Sequence, residues 1–212
     1  MPTRVVTISH AWGAGGESIG RTVAEKLGFR YVDDEIISLA ADKHGLEPAA
    51  VADAERRKSL LFRIAEDLSK GSALQAAGAG GVMTPESIGL RKSDDARALI
   101  IDAIVETAER GEVVIVAHAA SIPLAGRDDL LRVFITASIE TRVDRVADTP
   151  GADTRGAEKF VRQSDTARAY YFQRFYEIEE ELPTHYDLVL NTDALSYEEA
   201  CDIIIAAARR KA

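Results

Sequence analysis

Apolar residues fall along this chain in two rhythms. Some stretches are apolar almost without interruption. Residues 4–9, Arg-Val-Val-Thr-Ile-Ser, Val113–Val116, Leu131–Ile135 and Leu188–Leu190 are of this kind, with Phe29–Val32 as a shorter run. Such runs predict strands buried on both faces. Elsewhere apolar residues return every three or four positions. Ile19, Val23 and Leu27 do so within 17–27; Leu60, Leu61, Ile64 and Leu68 within 46–70; Ala98, Ile101, Ile104, Val105 and Ala108 within 94–109. These stretches are predicted as helices, as are about 139–147, 156–175 and 196–210. Gly28 and Gly111 stand where two of the helices should stop. Another helix is expected to start at Asp33-Asp34-Glu35, with its acids near the positive end of the dipole. Residues 71–90 hold Gly71, Gly78, Gly80, Gly81 and Gly89 among alanines and serines, and predict a mobile loop within a domain.

Wholly apolar strands alternating with helices predict a parallel sheet covered on both sides, a three-layer αβα arrangement. The 212 residues suffice for one such domain, 1–212, with a real core. The single cysteine, Cys201, rules out an internal disulfide, and its apolar surroundings predict a core residue. No segment reaches membrane-spanning length and no signal peptide is evident, so a cytoplasmic protein without a membrane partner is expected.

Charge narrows the picture. Net charge is −9, with 26 basic and 35 acidic residues. That balance argues against a broad nucleic-acid-binding face. An anionic ligand would need a local concentration of positive charge. Arg142, Arg145, Arg155, Lys159, Arg162, Arg168 and Arg174 provide one, and arginine suits bidentate phosphate contacts.

The first strand runs into His10-Ala-Trp-Gly-Ala-Gly-Gly16 and then a helix. Strand, glycine-rich turn and helix together form a phosphate site, because free N–H groups and the helix dipole converge on one point. Against the strict pattern G-x-x-x-x-G-K-[ST], His10 takes the first glycine, Gly15 the second, Gly16 the lysine and Glu17 the hydroxyl residue, with Ser18 next. A tight structural turn is the alternative. A dinucleotide-binding fingerprint fits less well, since Gly13, Gly15 and Gly20 lack its spacing.

Thr7-Ile-Ser-His-Ala-Trp-Gly-Ala-Gly-Gly-Glu-Ser-Ile-Gly20 resembles the opening of the cytidylate kinase-like family, a branch of the P-loop nucleoside monophosphate kinases that commonly lacks the lysine. Leu27-Gly-Phe-Arg-Tyr-Val-Asp-Asp-Glu-Ile-Ile37 is similar to its next element, with Asp33 and Glu35 on the matching acids. Leu131–Arg145, Asp165-Thr-Ala-Arg168 and Tyr186–Thr192 resemble later elements. The likeness covers most of the chain except about 45–95, where a monophosphate-binding insertion would lie, and implies a lid-like segment at about 148–165.

The resemblance implies a P-loop nucleotide kinase-like fold and phosphoryl transfer from ATP, with Mg2+, to a nucleoside monophosphate, CMP or dCMP favoured. Trp12, Gly13, Ala14, Gly15, Gly16, Glu17 and Ser18 would then hold the donor phosphates. Arg142, Arg145 and Arg162 would act on the transferring group, and Asp33, His118, Asp165 and Arg168 on the acceptor. No metal ligand is assigned. Nucleotides are the implied partners, with a homodimer as the assembly to test. Two positions depart from the family: its arginine after Ile-Ser is His10 here, and its Gly-Arg is Ala117-His118. Histidine carries no fixed charge, so a catalytically weak nucleotide sensor or scaffold is the competing expectation. His118 could equally be a satisfied core histidine, Asp33 and Asp34 could cap a helix, Trp12 could stack on a base or pack the turn, and the arginines could lie on a solvated face.

Overall fold

The computed structural model describes residues 2–33, 90–117, 119–149 and 153–210. β1 (Val5–His10) is buried at every position. A strand can be so only if it is paired on both edges and covered on both faces. It pairs in parallel with β3 (Val113–Val116) on one side and β4 (Leu130–Thr136) on the other. β2 (Arg30–Val32) adds beyond β3 and β5 (Leu188–Asn191) beyond β4, all parallel, in the order β2-β3-β1-β4-β5. The parallel arrangement brings the carboxyl ends of all five strands to one edge, where the ligands of such sheets bind.

Each face has its own core. Val6, Ile8, Val114, Leu131, Val133 and Ile135 point to one side. There they meet Ile19 and Val23 of α1 (Gly16–Leu27) and Cys201, Ile204 and Ala208 of α5 (Tyr197–Arg210). Val5, Val113, Ile115 and Leu130 point to the other and meet Ile100, Ala103, Ile104 and Ala108 of α2 (Leu90–Arg110). Each fully buried Val or Ile contributes roughly 1.5–3 kcal/mol. α3 (Ile139–Ala147) is capped by Ser138 and α4 (Thr154–Tyr176) by Asp153, whose side chains accept from Thr141 N and Gly156 N. Val143, Ala157 and Val161 pack these two helices together.

The three-layer parallel architecture expected from the apolar runs is therefore present, and Cys201 is a core residue. Val113–Val116 and 139–147 have the expected bounds, and other boundaries differ by at most four residues. β1 runs to His10, α1 starts at Gly16, and α2 starts at Leu90, which places position 90 in a helix and not in the expected loop. The expected helix at 46–70, the rest of the loop at 71–90, Asp34, Glu35 and His118 lie outside the described residues. Among the described residues no helix is long and apolar enough to cross a membrane.

Candidate functional site

The turn after β1 is shaped by two left-handed glycines. Gly13 has φ +83° and Gly15 φ +87°, conformations that cost an L-residue about 1–2 kcal/mol. Space is closed as well. A Cβ on Gly13 would lie 2.8 Å from the Arg142 carbonyl oxygen, and one on Gly15 would collide with the Tyr197 ring. Gly15 is the N-cap of α1 and offers no capping side chain. Among the described residues, no protein acceptor takes the amides of Gly13, Gly15, Gly16, Glu17 or Ser18. Ala14 N alone turns inward, to Ala11 O at 3.0 Å.

The carbonyls of the same turn are all held. Arg142 Nη1 donates to Trp12 O at 3.4 Å, Arg145 Nη1 to Gly13 O at 3.3 Å, and Thr192 Oγ1 lies 3.0 Å from Ala14 O. Thr192 is fixed in turn by Arg145, whose Nη1 reaches its hydroxyl at 2.9 Å and Nη2 its carbonyl at 2.8 Å. Arg145 also lies over the Tyr197 ring, 5.2 Å from its centroid. With carbonyls gripped on one side, the amides are presented on the other. That is the arrangement by which a backbone binds an anion.

Two ion pairs attach α4 to this centre. Arg142, 8% exposed, makes a bidentate pair with Asp165 at 2.8 Å through both terminal nitrogens, and its Nε donates to Ala137 O. Arg168, 9% exposed, donates Nε to Glu181 at 2.7 Å, Nη2 to Ser9 Oγ at 2.8 Å and Nη1 to His10 O at 3.2 Å. Its guanidinium is sandwiched over Phe134 and Phe172. Tyr186 donates a short hydrogen bond to Glu181, and its phenol pKa is pushed up, by burial first and by that carboxylate second. Asp165 and Arg168, three residues apart on one helix, thus serve different partners.

The remaining expected residues are more scattered. His10 is buried, its Nδ1 3.2 Å from Ala11 O, and burial lowers its pKa below the ordinary 6.5. The imidazole is therefore neutral at pH 7, with Nδ1 placed to donate. Trp12 meets the Phe160 ring of α4 edge-on at 5.3 Å, so its ring packs the turn against the helix. Asp33, at the end of β2, accepts from Arg21 at 3.2 Å. Arg162 lies on the exposed face of α4, paired with Glu158. Arg155 and Arg174 are exposed too. Among the described residues no three metal-ligating side chains converge. The sequence did not single out Thr192, Tyr197, Glu181 or Tyr186. Thr192 could have been found, since it follows β5 directly and so falls on the ligand-bearing edge of the sheet.

Five parallel strands in this order, with a glycine turn joining the central strand to a helix, define the P-loop kinase fold. Solved structures agree. A protein of Eubacterium ventriosum superposes with a TM-score of 0.66 at 17% identity over 97% of this chain and 98% of its own. A gluconokinase of Sinorhizobium meliloti superposes with 0.54 at 16% identity over 99% and 93%. The model of the cytidylate kinase-like family matches residues 5–194, and the chain belongs to that family. A cytidylate kinase of Aeropyrum pernix is 30% identical over 70% of this chain and 90% of its own length. One from Methanopyrus kandleri is 28% identical over 48% of this chain, and the match spans 57% of that protein.

Proposed function

We propose that this chain is a nucleotide kinase that transfers the terminal phosphoryl group of ATP to a nucleoside monophosphate, with CMP or dCMP as the acceptor. The observation that carries the proposal is the two-sided turn: carbonyls of Trp12, Gly13 and Ala14 held by α3 and Thr192, and amides of Gly13 and Gly15–Ser18 left without protein acceptors among the described residues. Membership of the family and the cytidylate kinase relatives support the reaction class. Phosphoryl transfer asks a protein mainly for alignment and for compensation of negative charge. In this reading the amides hold the donor phosphates, with Trp12 packing the turn. Arg142 and Arg145 fix it from behind, and Arg162, on the outer face of α4, would have to leave Glu158 to reach the transferring group. Asp165 and Arg168 orient the acceptor side by setting α4 against the end of β1, with Asp33 on the same sheet edge. The described part of 148–165, the start of α4, is the lid-like element. Glycine at 13 and 15 lets the turn pass against Arg142 and the Tyr197 ring, which a Cβ would strike. Mg2+ bound to ATP would supply charge neutralisation; no carboxylate set among the described residues is built to hold it alone.

A coupled assay with ATP, Mg2+ and a panel of monophosphates tests the proposal. Turnover is expected with CMP or dCMP ahead of purine acceptors. One observation favours a second reading, a nucleotide sensor with little catalysis. The neutral His10 stands where the family carries arginine, and Arg142 and Arg168 are already saturated by carboxylates. Measurable ATP binding without turnover on any acceptor would select that reading.

A further inference from the structure

Among the described residues, two of the three arginines that donate to carbonyls of residues 10–13 are neutralised at close range: Arg142 by Asp165 and Arg168 by Glu181. Arg145 is different. Half-buried on α3, it has no carboxylate within ion-pair distance among the described residues. Its donors go to neutral oxygens, those of Gly13 and Thr192. Asp193 feels its charge from further away but is bonded to Ser138 N at 2.8 Å and Ser138 Oγ at 3.2 Å. A cation drawn partly out of water with only neutral oxygens in contact and a carboxylate further off keeps part of its desolvation cost. An anion bound at the turn would repay it.

The usual source of that charge is closed to this chain. In G-x-x-x-x-G-K-[ST] the lysine after the second glycine reaches the phosphates. Here that position is Gly16, and a Cβ built on it would run into the Cβ and ring of His10. No side chain, lysine included, fits there while the His10 side chain keeps its place. His10 does not make up the loss, because burial keeps its ring neutral.

The geometry points to Arg145 as a positioning residue that supplies the fixed positive charge of the glycine turn in place of the lysine, for the phosphate groups of a nucleotide. It acts through the turn and not by replacing the amides. One guanidinium holds the Gly13 carbonyl directly and holds Thr192, which in turn holds the Ala14 carbonyl. The same cation stacks on Tyr197, the ring that walls off Gly15. Charge and turn shape are therefore set by one side chain. This inference rests on the reading of the turn as a phosphate site.

The experiment separates charge from hydrogen bonding. Arg145→Gln keeps a donor and loses the charge; Arg145→Lys keeps the charge. Trp12 is the sole tryptophan and sits in the turn, so its fluorescence reports binding of pyrophosphate, ATP and uncharged adenosine. Arg145→Gln is expected to weaken pyrophosphate and ATP by about tenfold, the scale of one charge-assisted hydrogen bond, and to leave adenosine unchanged. Its salt dependence should flatten, because one charge no longer contributes. Arg145→Lys keeps the charge but loses the forked grip on Thr192 and the stack on Tyr197, so it should weaken pyrophosphate and ATP by about threefold, less than the glutamine variant. Equal affinity in the glutamine variant would overturn the assignment, as would a lysine variant that falls as far as glutamine. Should Arg145→Gln not fold, the lysine variant decides: a loss of about threefold supports the assignment, and one of about tenfold overturns it. If the unsubstituted chain ignores pyrophosphate and ATP, the phosphate reading of the turn falls first and takes this inference with it. If it responds and Arg145→Gln responds equally, only the assignment of Arg145 falls.

Discussion

The two sides of the glycine turn are built from the same kinds of residue to different ends. On the α4 side, arginines meet carboxylates: Arg142 with Asp165, and Arg168 with Glu181, which also accepts from Tyr186. On the β5–α5 side, Arg145 meets the oxygens of Gly13 and Thr192 and the ring of Tyr197. The first arrangement is electrically closed and acts as a brace between a helix and the sheet. The second leaves its charge, among the described residues, without a carboxylate in ion-pair contact and acts as a clasp. Proximity to the turn is common to both, so position alone does not distinguish an arginine that supports the fold from one poised for a ligand. The partner decides.

The strongest challenge to the clasp is Gly15→Val. It forces a β-branched residue to φ +87° and into the Tyr197 ring. Strain and overpacking together should lower unfolding free energy by about 4 kcal/mol in urea titration, and should abolish the Trp12 response to ATP. A variant that binds ATP normally would show that the Tyr197 wall is irrelevant.

Arg168→Ala attacks the brace. It leaves Glu181, 18% exposed, without its cation, which should cost about 3 kcal/mol, the scale for a broken buried pair. The acceptor step should weaken far more than ATP binding. Equal losses of both would erase the distinction between brace and clasp. A double-mutant cycle with Glu181→Ala should show coupling, since the second change removes the stranded carboxylate.

His10 lies between the two regions, and its expected effect is smaller. The unfolded chain takes up a proton at this histidine near pH 6.5, and the folded chain resists it because the ring is buried. The unfolded state therefore binds more protons as pH drops. Stability from this residue is complete above about pH 6.5 and falls as pH declines through and below that value. Thermal melts between pH 7.5 and 5 should show a shallower decline in His10→Gln than in the unsubstituted chain, over a range set by the ordinary histidine pKa near 6.5. An unchanged slope would mean that His10 takes up its proton as easily folded as unfolded.

The smallest effect on the fold belongs to Arg162→Ala. Its partner Glu158 is one helical turn away and both are exposed, so the melting temperature should move by about 1 °C or less. A fall in kcat without a fall in stability would place Arg162 on the transferring group. No change in either would leave it a surface residue.

The strands, the turn and the sheet class were legible because buried parallel strands are apolar throughout and the glycines punctuate the chain. What could not be read was pairing across distance. Asp165 and Arg168 sit in one short element and suggest one shared ligand. The fold sends them apart, because helix positions three residues apart can still reach different neighbours: α3 for Asp165, the end of β1 and the segment after α4 for Arg168. Glu181 lies in an acidic run that reads as solvated surface, and only the reversal of the chain carries it inward. Thr192 and Tyr197 are ordinary residues until β5 is placed beside β4.

That reversal turns on Glu177, which closes α4 in the left-handed conformation with φ 56° and sends the chain back along the helix. Most surface connections accept an added or missing residue. This one is a ruler. The four-residue interval from Glu177 to Glu181 sets how far the carboxylate travels before it meets Arg168, so a relative with a longer or shorter interval there would have to anchor its last long helix by other means.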